Sequence, residues 1–278
     1  MFLTDTQRDE ALARLDEDGF VVLPEPLPAD LLNANAQAIR DLAAAAKPEG
    51  GGWKAANCVD AHPAFRELMM YPPALQLAHD TFGPIFQLNQ SNYNFRPTDG
   101  GSHTADFVHD TPWHADGPRP RLFPAIDGRM GLHYLKFGYF LNDLTAGGGG
   151  ALQVVRGSHK RPEKDGRGAD FRIADYAADL VTFDVPAGTA VAFHQALWHA
   201  APTNTRPDPR LTVYISYCPT WMRPLDREPL PLAELAAYTP AEQMLLGFQR
   251  PPMQFWLPPA EHLHALDRYA RQPAVAAV

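Results

Sequence analysis

The chain has 278 residues, 45% of them hydrophobic and 20% charged, which is enough to bury one sizeable core. Its formal charge of −8 argues against a nucleic-acid phosphate backbone as its partner. Only Cys58 and Cys218 occur, far apart, which excludes a disulfide scaffold and fits a reducing compartment.

No apolar run approaches the length of a membrane span, and Met1-Phe2-Leu3-Thr4-Asp5 lacks the character of a secretory signal. The expectation is a cytoplasmic protein with neither a membrane nor a nucleic acid as partner. Thr4 to Asp16 and Ala29 to Ala46 carry Ala/Leu periodicity behind candidate caps at Thr4 and Asp30, and are predicted helical. Pro63 to Phe82 reads as one or two further helices, broken at Pro72-Pro73. From Phe86 the pattern turns to short strands with Gly/Pro turns. These are Phe86 to Phe95, Leu132 to Asn142, Leu152 to Arg156, Leu180 to Phe183, Ala190 to His194 and Leu211 to Tyr217. Such a series predicts a mainly β fold with added helices, built on a double-sheet jelly roll. Pro224 to Leu257 is Pro-rich and predicts a helix plus an extended arm over the barrel mouth. The expected division is a helical part over 1–85, a jelly-roll core over 86–222 and a C-terminal extension over 223–278, all in one domain.

Trp113-His114-Ala115-Asp116, followed at a distance by His199 and Arg210, carries the chemistry. On an extended segment residues i and i+2 point to one side, so His114 and Asp116 can reach one ion while Ala115 points away. Two imidazoles and one carboxylate form a facial triad that leaves three metal positions open. That arrangement suits non-haem Fe(II) enzymes that bind a bidentate cosubstrate and O2 together. His199 falls near the end of an apolar run that starts at Gly188. A Pro/Asn/Asp-rich turn follows, and Arg210 opens the next run with a fixed, always charged fork for a remote carboxylate.

Four blocks in order resemble the phytanoyl-CoA dioxygenase family of Fe(II)/2-oxoglutarate oxygenases. They are Asp18-Gly19-Phe20-Val21-Val22-Leu23-Pro24; Gln90-Ser-Asn-Tyr-Asn-Phe-Arg96-Pro97 leading to Trp113-His114-Ala115-Asp116; Leu141 to Gly157-Ser158-His159; and the His199 to Arg210 segment. The resemblance implies a double-stranded β-helix of cupin type. It further implies Fe(II) on His114, Asp116 and His199, and 2-oxoglutarate with its distal carboxylate on Arg210. Arg96 stands where related enzymes place a cosubstrate-binding lysine. Gln90 and Trp113 are candidate substrate contacts. The implied activity is hydroxylation, or another oxidation, of a small organic molecule such as a secondary metabolite or acid, with O2 consumed and succinate and CO2 released. Two departures stand out. Ala201 occupies a position where many members carry a cosubstrate-binding Ser, and Arg156 one where Pro is frequent. Asp116 is a carboxylate where related halogenases have a small residue, which favours oxygenation over halogenation.

Two other readings stay open on the sequence: a metal enzyme on the same barrel that does not use 2-oxoglutarate, and a non-catalytic jelly-roll binding protein. Several residues have plain structural readings. His194 lies five residues before His199 in the same predicted strand, so odd spacing puts it on the opposite face, in packing. His109 reads as a surface loop residue and His159 as part of a structural turn. His262 and His264 read as part of an exposed C-terminal helix, and Gly147 to Gly150 as a flexible turn. Trp113 and Trp198 either wall the site or simply pack. Arg119, Arg121 and Arg129 either meet an anionic substrate or line a solvated loop.

Overall fold

A computed structural model describes residues 1–46, 53–98, 113–116, 131–161, 173–227, 230, 232–247 and 264–271. His109, Arg119, Arg121, Arg129, His262 and the arm predicted after residue 247 lie outside them.

Helix α1 (Asp5–Glu17) starts where the sequence places it. The Thr4 side chain accepts from the backbone of Gln7, and Gln7 reaches back to the Thr4 backbone. Such a reciprocal cap contributes about 1 kcal/mol. Helix α2 (Ala29–Ala46) has the predicted span, but Asp30 lies inside its first turn and is not its cap. There the carboxylate opposes the positive helix end. After the short α3 (Cys58–Ala61), the Pro72-Pro73 break separates α4 (Pro63–Met69) from α5 (Pro72–Phe82), with Pro at the first turn of each.

The strands are β1 (Phe20–Val22), β2 (Trp53–Ala56), β3 (Phe86–Arg96), β4 (Leu135–Phe140), β5 (Gln153–Val155), β6 (Leu180–Thr182), β7 (Ala190–His194), β8 (His199–Ala200) and β9 (Arg210–Pro219). They form a six-stranded sheet in the order β1-β7-β4-β9-β3-β2 and a three-stranded sheet in the order β6-β5-β8. The described pairings are antiparallel. This is the predicted jelly roll. One correction concerns residues 1–85, which are not purely helical. They supply β1 and β2, the two edges of the larger sheet. Both are too short to show a period in sequence.

Alternation along β9 separates two interiors. Leu211, Val213, Ile215 and Tyr217 face a core shared with Phe65, Leu68, Leu75 and Leu77 of the helices. Tyr217 fixes that contact by donating its hydroxyl to the Met69 carbonyl at 2.5 Å. Phe140, Val154, Phe183, Val191 and Phe193 fill the second core, between the sheets. Thr212, Tyr214 and Ser216 alternate onto that inner face.

Past β9, the described residues of the Pro-rich segment form two short helices, α6 (Leu232–Leu235) and α7 (Pro240–Leu245). The C-terminal helix predicted around His264 is instead a turn followed by a 3-10 turn at Asp267–Tyr269, with His264 exposed beside Asp267. Among the described residues, no helix is long and apolar enough to cross a membrane.

Candidate metal and cosubstrate site

His114 and His199 exchange backbone hydrogen bonds, His114 N to His199 O at 3.0 Å and His199 N to His114 O at 2.8 Å. β8 in turn pairs with β5, Val154 opposite His199. The His-x-Asp segment thus extends the smaller sheet. Directly opposed residues point to one side, so the two rings lie with centroids 4.2 Å apart. Asp116, two residues on, joins them. Its Oδ1 is 3.7 Å from His114 Nε2 and its Oδ2 is 3.8 Å from His199 Nε2. One donor atom from each of the three residues lies within 4.8 Å of the others, and this is the one such group found among the described residues.

His199 is buried, and its Nδ1 lies 2.8 Å from the Leu197 carbonyl. A protonated Nδ1 donating there leaves Nε2, the atom facing Asp116, with its lone pair for a metal. Burial pushes the His199 pKa down to about 4, against the opposing pull of Asp116. Burial alone would raise the Asp116 carboxyl, but the Lys136 ammonium and the two imidazoles hold it well below the usual carboxylate range. A neutral imidazole and an ionised carboxylate are the states a divalent cation needs. His114 is the exposed member, its side chain 51% accessible, so the cluster opens on its side.

Arg210 opens β9, buried, in register with Arg96 at the end of β3. Its Nη1 donates to the Gly150 carbonyl and, at 3.3 Å, to Pro202 O. The glycine run is therefore a fitted turn, not merely a flexible one. Gly150 has φ +69°, and a Cβ there would lie 2.8 Å from Arg210 Nη1 and 2.5 Å from Pro202 O. Asn204 ties the turn before β9 together, donating to the carbonyls of Arg96 (3.1 Å) and Asp208 (2.8 Å). Ala201 provides no hydroxyl beside this guanidinium.

Gln90 sits opposite Ser216 after a bulge in β3, followed on the same face by Asn92 opposite Tyr214 and Asn94 opposite Thr212. Trp113, the other candidate substrate contact, lies on the opposite side of its segment. With Ala115 it packs against Val155, Ile173 and Trp198, on the face of its segment away from His114 and Asp116. His194 also needs a corrected reason. It ends β7 in the larger sheet, the chain turns through Gln195 to Trp198, and His199 belongs to the smaller sheet. Parity along one strand therefore does not relate them. His194 nonetheless packs, its ring 5.0 Å from that of His159 and its Nδ1 accepting from Ala196 N at 3.0 Å.

Sequence reasoning missed Lys136. It lies mid-β4, donates to Asp116 Oδ2, and has a side chain only 12% exposed. The signal was present. In Leu135-Lys136-Phe137-Gly138-Tyr139, alternation sends Leu135, Phe137 and Tyr139 to the helical core and Lys136 with Gly138 to the inner face. A Cβ on Gly138 would lie 2.8 Å from the Tyr214 ring, so glycine there makes room for that ring.

The model of the family "Phytanoyl-CoA dioxygenase (PhyH)" matches residues 15–212. L-proline trans-4-hydroxylase of Streptomyces griseoviridis is 26% identical over 240 residues, covering 75% of this chain and 85% of that protein. Among solved structures, HygX from Streptomyces hygroscopicus with nickel and 2-oxoglutarate bound superposes with a TM-score of 0.62 at 18% identity, over 84% of this chain and 94% of that one. EctD from S. alaskensis with 2-oxoglutarate and 5-hydroxyectoine gives 0.60 at 21% identity, over 82% of each chain. These two share the fold. The family match covers most of the chain, both sheets and the triad, so the chain belongs to the phytanoyl-CoA dioxygenase family and is an Fe(II)/2-oxoglutarate-dependent oxygenase of small molecules.

Proposed function

We propose that His114, Asp116 and His199 hold the iron, that Arg210 seats the distal carboxylate of 2-oxoglutarate, and that the enzyme hydroxylates a small organic acid. The observation that carries this reading is the triad itself, with its donor atoms within 4.8 Å and one open side. The donor set suits Fe(II): two imidazoles and a single carboxylate, with positions left for a chelating keto acid and O2. Bound there, the iron and 2-oxoglutarate supply the oxidising power through oxidative decarboxylation. The chain's own residues bind and orient. Arg210 offers a planar fork held by two carbonyls, and Arg96 lies across from it as a second cation for the same ligand. Gln90, Asn92, Asn94, Thr212 and Ser216 line the inner face with amides and hydroxyls, which suits a polar substrate better than a long acyl chain. The proline hydroxylase relative points to the same class, a small molecule with a carboxylate.

The test is a panel of small organic acids, L-proline included, incubated with Fe(II), 2-oxoglutarate and O2. Succinate and product mass are the readouts. A substrate should release one succinate per oxygen atom gained, and His199→Ala should release none. Full turnover in His199→Ala would overturn the ligand assignment, and turnover without 2-oxoglutarate would favour a different metal enzyme on this barrel.

A further inference from the structure

Asp116 is engaged on both sides of its carboxylate. Oδ1 lies 3.7 Å from His114 Nε2, and Oδ2, 3.8 Å from His199 Nε2, also receives the Lys136 ammonium. The lysine is itself fixed. Its Nζ sits 5.5 Å from the centroid of Phe193 and 5.3 Å from that of Tyr214, rings set edge to face at 89°. Two ring faces and a carboxylate hold one ammonium, in a largely buried place where such contacts are strongest. Strand register explains the arrangement. Lys136 pairs with Phe193 on β7 and with Ser216 on β9, and Tyr214 lies two residues from Ser216 over Gly138.

We propose that Lys136 is a positioning residue that confines Asp116 to binding iron through one oxygen. The proposal rests on the triad being the iron site. A free carboxylate beside a divalent cation can close on it with both oxygens, and would then take one of the three open positions. A chelating keto acid and O2 need all three. An ammonium committed to Oδ2 removes that option and leaves Oδ1 as the ligand. Lys136 thus protects the vacancy on which cosubstrate binding depends, without touching the cosubstrate.

Lys136→Met tests this, since its unbranched stem can still lie between Phe193 and Tyr214. Lys136→Ala serves if methionine disturbs folding, and melting temperatures check both. Co(II) is the probe of coordination, because its visible absorption changes in intensity with coordination number. Removal of the ammonium should alter the spectrum of the protein with Co(II) alone. It should also weaken 2-oxoglutarate binding to the Fe(II) protein at least tenfold, read anaerobically from the charge-transfer band of the chelate. Lys136→Arg should restore both. A Co(II) spectrum and a 2-oxoglutarate affinity like those of the parent would overturn the proposal. So would weakened affinity with an unchanged Co(II) spectrum, since the lysine would then act on the cosubstrate directly. An altered spectrum with unchanged affinity would also overturn it, because no vacancy would have been lost. If the parent itself gave no chelate band, the assignment of the iron and cosubstrate site would fail instead.

Discussion

Gly150 and Gly147 allow the seat of Arg210 to be perturbed without touching Arg210. Their backbones are nearly the same, at φ +69° and φ +71°. Alanine at either costs about 1–2 kcal/mol for the left-handed conformation. The two differ in what the new methyl meets. At Gly147 nothing lies within 4 Å. At Gly150 it would lie 2.5 Å from Pro202 O, 3.0 Å from Thr203 O and 2.8 Å from Arg210 Nη1. The first two are backbone atoms of one strand connection and yield little, so the guanidinium has to move. It then loses the geometry set by Gly150 O and Pro202 O. A charge-assisted hydrogen bond contributes about 1.5–3 kcal/mol, so a misplaced fork should weaken 2-oxoglutarate binding by roughly tenfold to a hundredfold. Calorimetric titration of the Mn(II) form under anaerobic conditions measures this, beside melting temperatures for both variants. Gly147→Ala should lose stability alone, and Gly150→Ala stability and affinity together. Equal 2-oxoglutarate affinities in the two variants would refute the claim that the turn seats the arginine.

Arg210→Ala should weaken 2-oxoglutarate at least roughly tenfold, and Arg210→Lys should restore it only in part, since a point charge cannot reproduce the fork; unchanged affinity in the same titration would show that another residue, Arg96 first, holds the carboxylate. Acid should weaken the chelator-treated protein through His199. Its folded pKa, about 4, lies below the ordinary histidine value of about 6.5, so the unfolded chain takes up the proton first and stability falls as pH drops through that window. The loss is about 2 kcal/mol between pH 7 and pH 4.5, read from urea midpoints at the two values. A pH dependence equally steep in His199→Gln would assign the effect elsewhere.

The parts of the site legible in sequence were those fixed by residue chemistry. A His-x-Asp segment, a distant His and an Arg at a strand start, in the setting of strand and turn patterns, suggested a metal and an anion, and the structure brings His114, Asp116 and His199 together. The Thr4 cap was legible because its partner, Gln7, lies three residues away. Asp30 misled because an acidic residue is equally at home in a first turn. The strand break between His194 and His199 was hidden because Gln195-Ala196-Leu197-Trp198 contains no Gly or Pro, although the chain changes sheet there. That turn is held instead by long-range contacts, Gln195 donating to Gly131 O at 2.7 Å and accepting from His133 N at 3.2 Å. Lys136 was overlooked for a related reason. Its meaning lies in Asp116, Phe193 and Tyr214, three partners brought to it by three other segments.

The same tertiary logic explains why the family blocks occur as an ordered set. Asp18 accepts from Gly157 N at 2.8 Å through its carbonyl, and from Arg156 Nη1 at 3.0 Å through its carboxylate. Arg156, a departure from the family pattern, is thereby anchored to the first block, its guanidinium 5.6 Å from the centre of the Phe20 ring. Gly19 accepts from His194 N at 2.8 Å and lies against the His159 ring so closely that a side chain at residue 19 would collide with it. Ser158 then takes a hydrogen bond from Trp198 N at 2.8 Å, and Val155 N donates to Trp198 O at 2.9 Å. Trp198 precedes His199, which pairs with His114. A continuous run of contacts thus links a glycine near the N-terminus to a proposed metal ligand 180 residues later in the chain. The first and third blocks contribute no ligand themselves. They fix the backbone from which His199 projects, and a facial site depends on that placement because ligand geometry set by backbone and supporting contacts tolerates only small displacements.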